Sequence, residues 1–239
     1  NERDEPDRTF SVVLSDPQKA TLGVSTAIVT ITDDDDPPTL TVSNLSVLES
    51  VTGGRTTISV VMKGSSSQDV SVNYATANGT AVAGQDYNAA SGALTWPAGQ
   101  TGARSFEVAI TQDVIDEPDE TFLVNLSNAQ GATLAADQAT ITISDDDAQP
   151  RIVIGDARVT EDAGSVTIPI TMTGATSEDA WVDLTTQNGT LETNAATGDG
   201  NLRDFDHQTA SLTWEAGTSG TKQFTVTILD DTVDEGDDA

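Results

Sequence analysis

Phe122-Leu123-Val124-Asn125-Leu126 and Thr140-Ile141-Thr142-Ile143 set Phe122, Val124, Leu126, Ile141 and Ile143 on alternate positions. A period of two buries one face of a strand and wets the other. Between these runs lie the turn formers Ser127-Asn128-Ala129-Gln130-Gly131, and after them the acidic run Asp145-Asp146-Asp147. Moving toward the N-terminus, Thr57-Ile58-Ser59-Val60-Val61-Met62, Val70-Ser71-Val72-Asn73-Tyr74 and Phe106-Glu107-Val108-Ala109-Ile110 carry the same period. Thr52-Gly53-Gly54, Asn78-Gly79 and Pro97-Ala98-Gly99 separate them as turns. No stretch sustains a helical period. About seven short strands in roughly 110 residues predict an all-β, immunoglobulin-like antiparallel β-sandwich, here without a Cys–Trp–Cys framework.

The pattern recurs. An offset of 112 positions, the distance from Asp33 to Asp145, carries Glu5-Pro6-Asp7 onto Glu117-Pro118-Asp119 and Thr9-Phe10 onto Thr121-Phe122. It also carries Leu14-Ser15 onto Leu126-Ser127 and Ala20-Thr21-Leu22 onto Ala132-Thr133-Leu134 without a gap. A further copy starts near Arg151. In it Val159 and Glu161 match Val47 and Glu49, Asn188-Gly189-Thr190 matches Asn78-Gly79-Thr80, and Leu212-Thr213-Trp214 matches Leu94-Thr95-Trp96. The change of offset places an insertion within Leu191–Leu202, a Gly/Asn/Ala/Thr-rich stretch that reads as a lengthened surface loop. The expected organisation is therefore tandem: the C-terminal part of a repeat in 1–36, a complete repeat in 37–148 and the N-terminal part of a third in 149–239. Asp36-Pro37-Pro38 and Ala148-Gln149-Pro150 are short, proline-stiffened linkers, which predicts neighbouring repeats joined end to end with limited swing.

Composition excludes several functions. Asp and Glu number 39 against 10 Lys and Arg, a formal net charge of −29. Such a surface repels nucleic acid and anionic lipid and attracts cations. With no cysteine there is no disulfide framework, thiolate metal site or cysteine nucleophile. No run of 18 apolar residues exists, so direct membrane insertion by a helix is not expected. His207 is the one histidine, so a catalytic Ser/His/Asp set cannot recur from copy to copy, and the chain does not read as an enzyme. Trp96 and Trp214 read as plugs at one end of the sandwich. Asn44-Leu45-Ser46, Asn78-Gly79-Thr80 and Asn188-Gly189-Thr190 match the glycosylation acceptor pattern, which by itself marks exposed turns and no more.

An ordered set of residues resembles the Calx-beta family along the whole chain. It runs Val72-Asn73-Tyr74-Ala75-Thr76-Ala77-Asn78-Gly79-Thr80-Ala81, Gly84-Gln85-Asp86-Tyr87, Ser91-Gly92-Ala93-Leu94-Thr95-Trp96, Asp116-Glu117-Pro118-Asp119-Glu120-Thr121-Phe122 and Ile141-Thr142-Ile143-Ser144-Asp145-Asp146-Asp147. The resemblance implies calcium bound at one end of each sandwich. In residues 37–148 the implied ligands are Glu49, Asp86, Asp113, Glu117, Glu120, Asp145, Asp146 and Asp147. In the last copy they are Glu161, Asp204, Asp230, Asp231, Glu235 and Asp238, and in the first fragment Glu5, Asp33, Asp34 and Asp35. The first fragment departs from the pattern: Arg8 stands where Glu120 has its carboxylate, and Asn1 where Asp113 does. A poorer site is expected there.

Calcium takes 6–8 oxygen ligands, and carboxylates from several loops supply them well. The same carboxylates without the ion repel one another. The resemblance and the repetition together imply a calcium-stiffened spacer in a secreted or cell-surface adhesin, matrix or filament protein. Its partners would be calcium ions, neighbouring repeats and other copies in a fibre. The competing implication is a regulatory calcium sensor within a larger membrane protein.

Overall fold

The computed structural model describes residues 2–187 and 205–230. By their internal packing the residues fall into two units, one of Asn1–Gln112 with Asp119–Asp145 and one of Asp113–Pro118 with Asp146–Ala239. Apart from one 3-10 turn at Glu161–Ala163, the regular structure among the described residues is β. The predicted fold class holds.

The strands in chain order begin with a hairpin, β1 (Arg8–Val13) and β2 (Thr26–Ile31). There follow β3 (Thr39–Val42), β4 (Leu45–Leu48), β5 (Arg55–Lys63), β6 (Val70–Asn78), β7 (Ser91–Trp96) and β8 (Gly102–Ala109). Next come β9 (Ile115–Asp116), β10 (Glu120–Gln130), β11 (Thr133–Ala136) and β12 (Gln138–Ser144). One sheet runs β4-β12-β10-β6-β7 and the other β11-β3-β5-β8. Their inward residues interleave in one core. Leu40, Ile58, Val60 and Val108 come from the second sheet, and Val72, Trp96, Phe122, Val124 and Ile141 from the first. The strict alternation of buried and exposed side chains along β5 shows why the two-residue period was so clear there.

The sequence reading predicted about seven strands, and the two sheets hold nine because the first strand is broken into β3 and β4 and the last into β11 and β12. β3 pairs parallel with β11 in one sheet, and β4 crosses over to pair parallel with β12 in the other. The crossing is pinned by Asn44, whose Oδ1 accepts the Thr140 N–H at 2.9 Å.

In the second unit β13 (Arg151–Ile154), β14 (Ser165–Thr173), β15 (Ala175–Thr176), β16 (Ala180–Thr185), β17 (Thr209–Trp214) and β18 (Gly220–Thr227) follow in order. They form the sheets β13-β14-β18, β16-β17 and β15-β9. Its core gathers Ile170, Met172, Trp214, Phe224 and Val226. Trp96 and Trp214 are both buried, as predicted, and their indole N–H groups donate at 2.9 Å to the carbonyls of Gly102 and Gly220 respectively. The insertion within 191–202 lies outside the described residues.

Candidate metal centre

Backbone pairing brings the acidic side chains of residues 37–148 together. β4 and β12 run parallel, and past their ends the Glu49 N–H donates to the Ser144 carbonyl at 2.9 Å. That bond holds Glu49, itself only 7% exposed, beside the start of the Asp145-Asp146-Asp147 run. The aspartate run is aimed from below by Asp119, whose two carboxylate oxygens accept the Asp145 N–H and the Ser144 hydroxyl, each at 3.2 Å. Asp113 shapes its own turn by accepting the Ile115 N–H at 2.8 Å.

On the other side of β10, the loop from Asn78 to Tyr87 carries Asp86. Asp86 Oδ2 accepts the Val82 N–H at 2.6 Å, and its own N–H donates to the Val82 carbonyl at 3.1 Å. The use of Asp86 as a turn former therefore coexists with its place in the acidic cluster. Tyr87 is fully buried, stacks on Phe122 with centroids 4.2 Å apart, and donates its hydroxyl to Asn78 Oδ1 at 2.8 Å. Burial pushes the Tyr87 phenol above the ordinary tyrosine value, the Thr76 hydroxyl pulls it partly back, and the charge on Asp86 adds to the rise.

Two groups of carboxylates result among the described residues. Glu49, Asp113 and Asp147 form one, and Asp86, Glu117 and Glu120 the other, each with one oxygen per residue lying within 4.8 Å of the others. Three carboxylates at that separation fit a hard divalent cation, since each can contribute an oxygen and water can fill the remaining positions. A second observation supports the fit. Asp145 Oδ1 is shut off from solvent and has no hydrogen-bond partner, while Asp147 Oδ2 is equally buried. A buried carboxylate oxygen is costly unless something positive meets it.

Of the eight residues singled out in 37–148, six enter the two groups, and Asp145 and Asp146 adjoin them in sequence. Glu5, Asp33, Asp34, Asp35, Glu161 and Asp230 join no such group among the described residues. Asp204, Asp231, Glu235 and Asp238 lie outside the described residues. In the first fragment, Glu5 is held by Arg8 at 3.0 Å, and Asp33 Oδ2 accepts the Glu5 N–H at 3.0 Å. Sequence reasoning missed Asp119 as the residue that orients the aspartate run. Its signal was present: Asp7, at the same offset of 112, accepts the Asp33 N–H at 3.0 Å in the same way.

The model of the Calx-beta domain family matches residues 1–35, 33–147 and 151–239. The sodium/calcium exchanger Calx of Drosophila melanogaster is 38% identical over 96 residues, which is 39% of this chain and 10% of that protein. Sodium/calcium exchanger 1 of Canis lupus familiaris is 27% identical over 200 residues, 74% of this chain and 20% of that protein. The chain thus spans only a tenth to a fifth of the length of these relatives. Among solved structures, the apo form of the Calx CBD1 domain is 33% identical, with 47% of this chain and all of that one covered at a TM-score of 0.44. CBD12 from CALX1.2 is 26% identical, with 82% of this chain and 76% of that one covered at a TM-score of 0.44.

Proposed function

This chain belongs to the Calx-beta family, and we propose on that footing that it binds calcium at the acidic end of residues 37–148 and acts as a calcium-sensing module of a larger protein. The observation that carries the reading is the pair of carboxylate triads, Glu49–Asp113–Asp147 and Asp86–Glu117–Glu120, each drawn together within 4.8 Å. Calcium would supply positive charge and up to eight coordination positions there. The chain's own residues do the rest. Glu49 and Asp147 present oxygens from just past adjacent strand ends, Asp113 from the turn before β9, Asp86 from the β6–β7 loop, and Glu117 and Glu120 from the entry to β10. Asp145 and Asp146 stand beside them as further donors.

The physical effect of binding is the removal of repulsion. Six carboxylates packed in two triads destabilise their loops when no cation separates them, so the ion adds stability to the end of the sandwich that holds it. The role is one of binding rather than catalysis.

The relatives favour the sensor over the spacer. They are named as sodium/calcium exchangers, and nothing in the comparisons supports a secreted adhesin, matrix or filament, or a fibre of copies. Among the described residues no helix is long and apolar enough to cross a membrane. The acidic site predicted for the first fragment, where Arg8 holds Glu5 at 3.0 Å, is assigned a weaker part in this reading. Affinity separates the alternatives. A titration of the full chain in chelator-buffered calcium should give a Kd of about 10⁻⁷ to 10⁻⁵ M for a sensor. A value near 10⁻³ M, the range of extracellular modules, would return the advantage to the spacer.

A further inference from the structure

The Asn78-Gly79-Thr80 turn, which the sequence marks only as an exposed turn, opens the β6–β7 loop that carries Asp86 and lies beside the start of β10, where Glu120 stands. Its contacts are specific. The Thr121 N–H, the first amide after Glu120, donates to the Thr80 hydroxyl at 2.8 Å. The Ala81 N–H returns a bond to the Thr121 carbonyl at 2.9 Å. Gly79 lies so close that a Cβ there would collide with that same carbonyl oxygen. At the far side of the turn, Asn78 Oδ1 accepts both the Ala83 N–H at 3.0 Å and the buried Tyr87 hydroxyl at 2.8 Å. Ala83 and Tyr87 bracket Asp86.

We infer that Asn78, Gly79 and Thr80 are positioning residues for calcium: they clamp the Asp86 loop onto the entry of β10, so that Asp86 and Glu120 meet at ligand distance. Thr80 fixes the backbone next to Glu120, and Asn78 fixes the Ala83 amide before Asp86 and the buried Tyr87 side chain after it. Neither side chain belongs to the carboxylate triad. Their contribution is the geometry of the pair, which outer partners of metal ligands supply in general. The inference rests on the calcium reading above and deepens it by naming what holds one of the two triads in place.

The test is a calcium titration of the full chain by calorimetry, with melting followed in chelator and in saturating calcium. Thr80→Val removes the hydroxyl and keeps the shape, Thr80→Ser keeps the hydroxyl, and Asn78→Ala removes the acceptor for Ala83 and Tyr87. Thr80→Val and Asn78→Ala are each expected to weaken one class of sites roughly tenfold, the lower end for lost outer partners. Thr80→Ser should bind like the unaltered chain. Melting of Thr80→Val should fall further in calcium than in chelator. A turn that is only structural would lower both melting temperatures alike and leave the isotherm where it was, and that result would overturn the inference. An unaltered chain that binds no calcium would instead defeat the calcium reading itself, so the two failures are distinct.

Discussion

The β1–β2 hairpin and the β10–β12 pair are built alike and charged differently. Arg8 faces Ile31 and Val13 faces Thr26 in one, while Glu120 faces Ile143 and Asn125 faces Gln138 in the other, the same register shifted by 112 positions. Both strands then turn through a left-handed residue at the same offset, Asp16 at φ 53° and Asn128 at φ 50°. Both use an aspartate, Asp7 or Asp119, to catch the amide that opens the acidic run. Among the acidic positions the two share, Arg8 replaces Glu120 and Asn1 replaces Asp113, and the first of these exchanges is visible in the contacts. Glu5 meets Arg8 at 3.0 Å, whereas its counterpart Glu117 meets Glu120 and Asp86. One copy carries its own cation in the chain, and the other gathers a triad that calls for one from solution. Backbone and binding site are thus separable: the hairpin register repeats faithfully, while the charges it carries differ.

The most severe way to break this comparison is to make the complete repeat imitate the fragment. Glu120→Arg should remove calcium from the Asp86–Glu117–Glu120 triad, weakening one class of sites by roughly a hundredfold or more, as loss of one partner from a desolvated charge arrangement does. Calorimetry should show that class vanish while the other persists. Loss of both classes together would argue against two separate triads.

A smaller effect is expected from Glu49→Gln, which keeps the shape of a buried side chain and removes its charge. Affinity at the first triad should fall about tenfold, and the melting temperature in chelator should rise by about 2–4 °C per kcal/mol of relieved repulsion. A fall in chelator would show that Glu49 stabilises the fold without an ion.

The reverse exchange, Arg8→Glu, sharpens the comparison from the other side. It deletes a half-exposed ion pair worth about 1 kcal/mol or less and restores one missing carboxylate. The expected outcome is one additional weak calcium isotherm, near 10⁻³ M, with little change in melting. An unchanged isotherm count would mean that the hairpin lacks partners beyond that one charge.

The smallest effect is expected at alkaline pH. Burial raises the Tyr87 phenol above its ordinary value of 10.0, so the folded state resists its ionisation. Its contribution to stability is whole below that ordinary value and is lost as pH rises toward and through the raised one. Tyr87→Phe should show a shallower loss of melting temperature above pH 10 than the unaltered chain. An identical slope would assign the alkaline loss to other groups.

How much of this was legible depended on range. Strands declare themselves locally, because Phe122, Val124 and Leu126 need only their neighbours to show the period of two. The crossover of the first strand did not declare itself. It is set by Asn44 reaching Thr140, a partner far along the chain whose identity no local pattern encodes. The same holds for the site. Resemblance named the acidic residues of 37–148, yet nothing in the sequence said that Glu49 would group with Asp113 and Asp147 while Asp86 grouped with Glu117 and Glu120. That partition follows from β4 lying against β12 and the β6–β7 loop lying against the entry to β10. Asn78 and Thr80 were read as a surface turn because their hydrogen bonds, to Tyr87 and Thr121, appear only once the strands are paired.

The central claim is that the clustered carboxylates of residues 37–148 are tolerated because a divalent ion joins them. Thermal unfolding of the full chain, in excess chelator and then in calcium at a hundred times Kd, tests it most directly. Each occupied site adds about 2.7 kcal/mol under those conditions, so the melting temperature should rise by about 5–10 °C per site. Superimposable unfolding curves in chelator and calcium would contradict it.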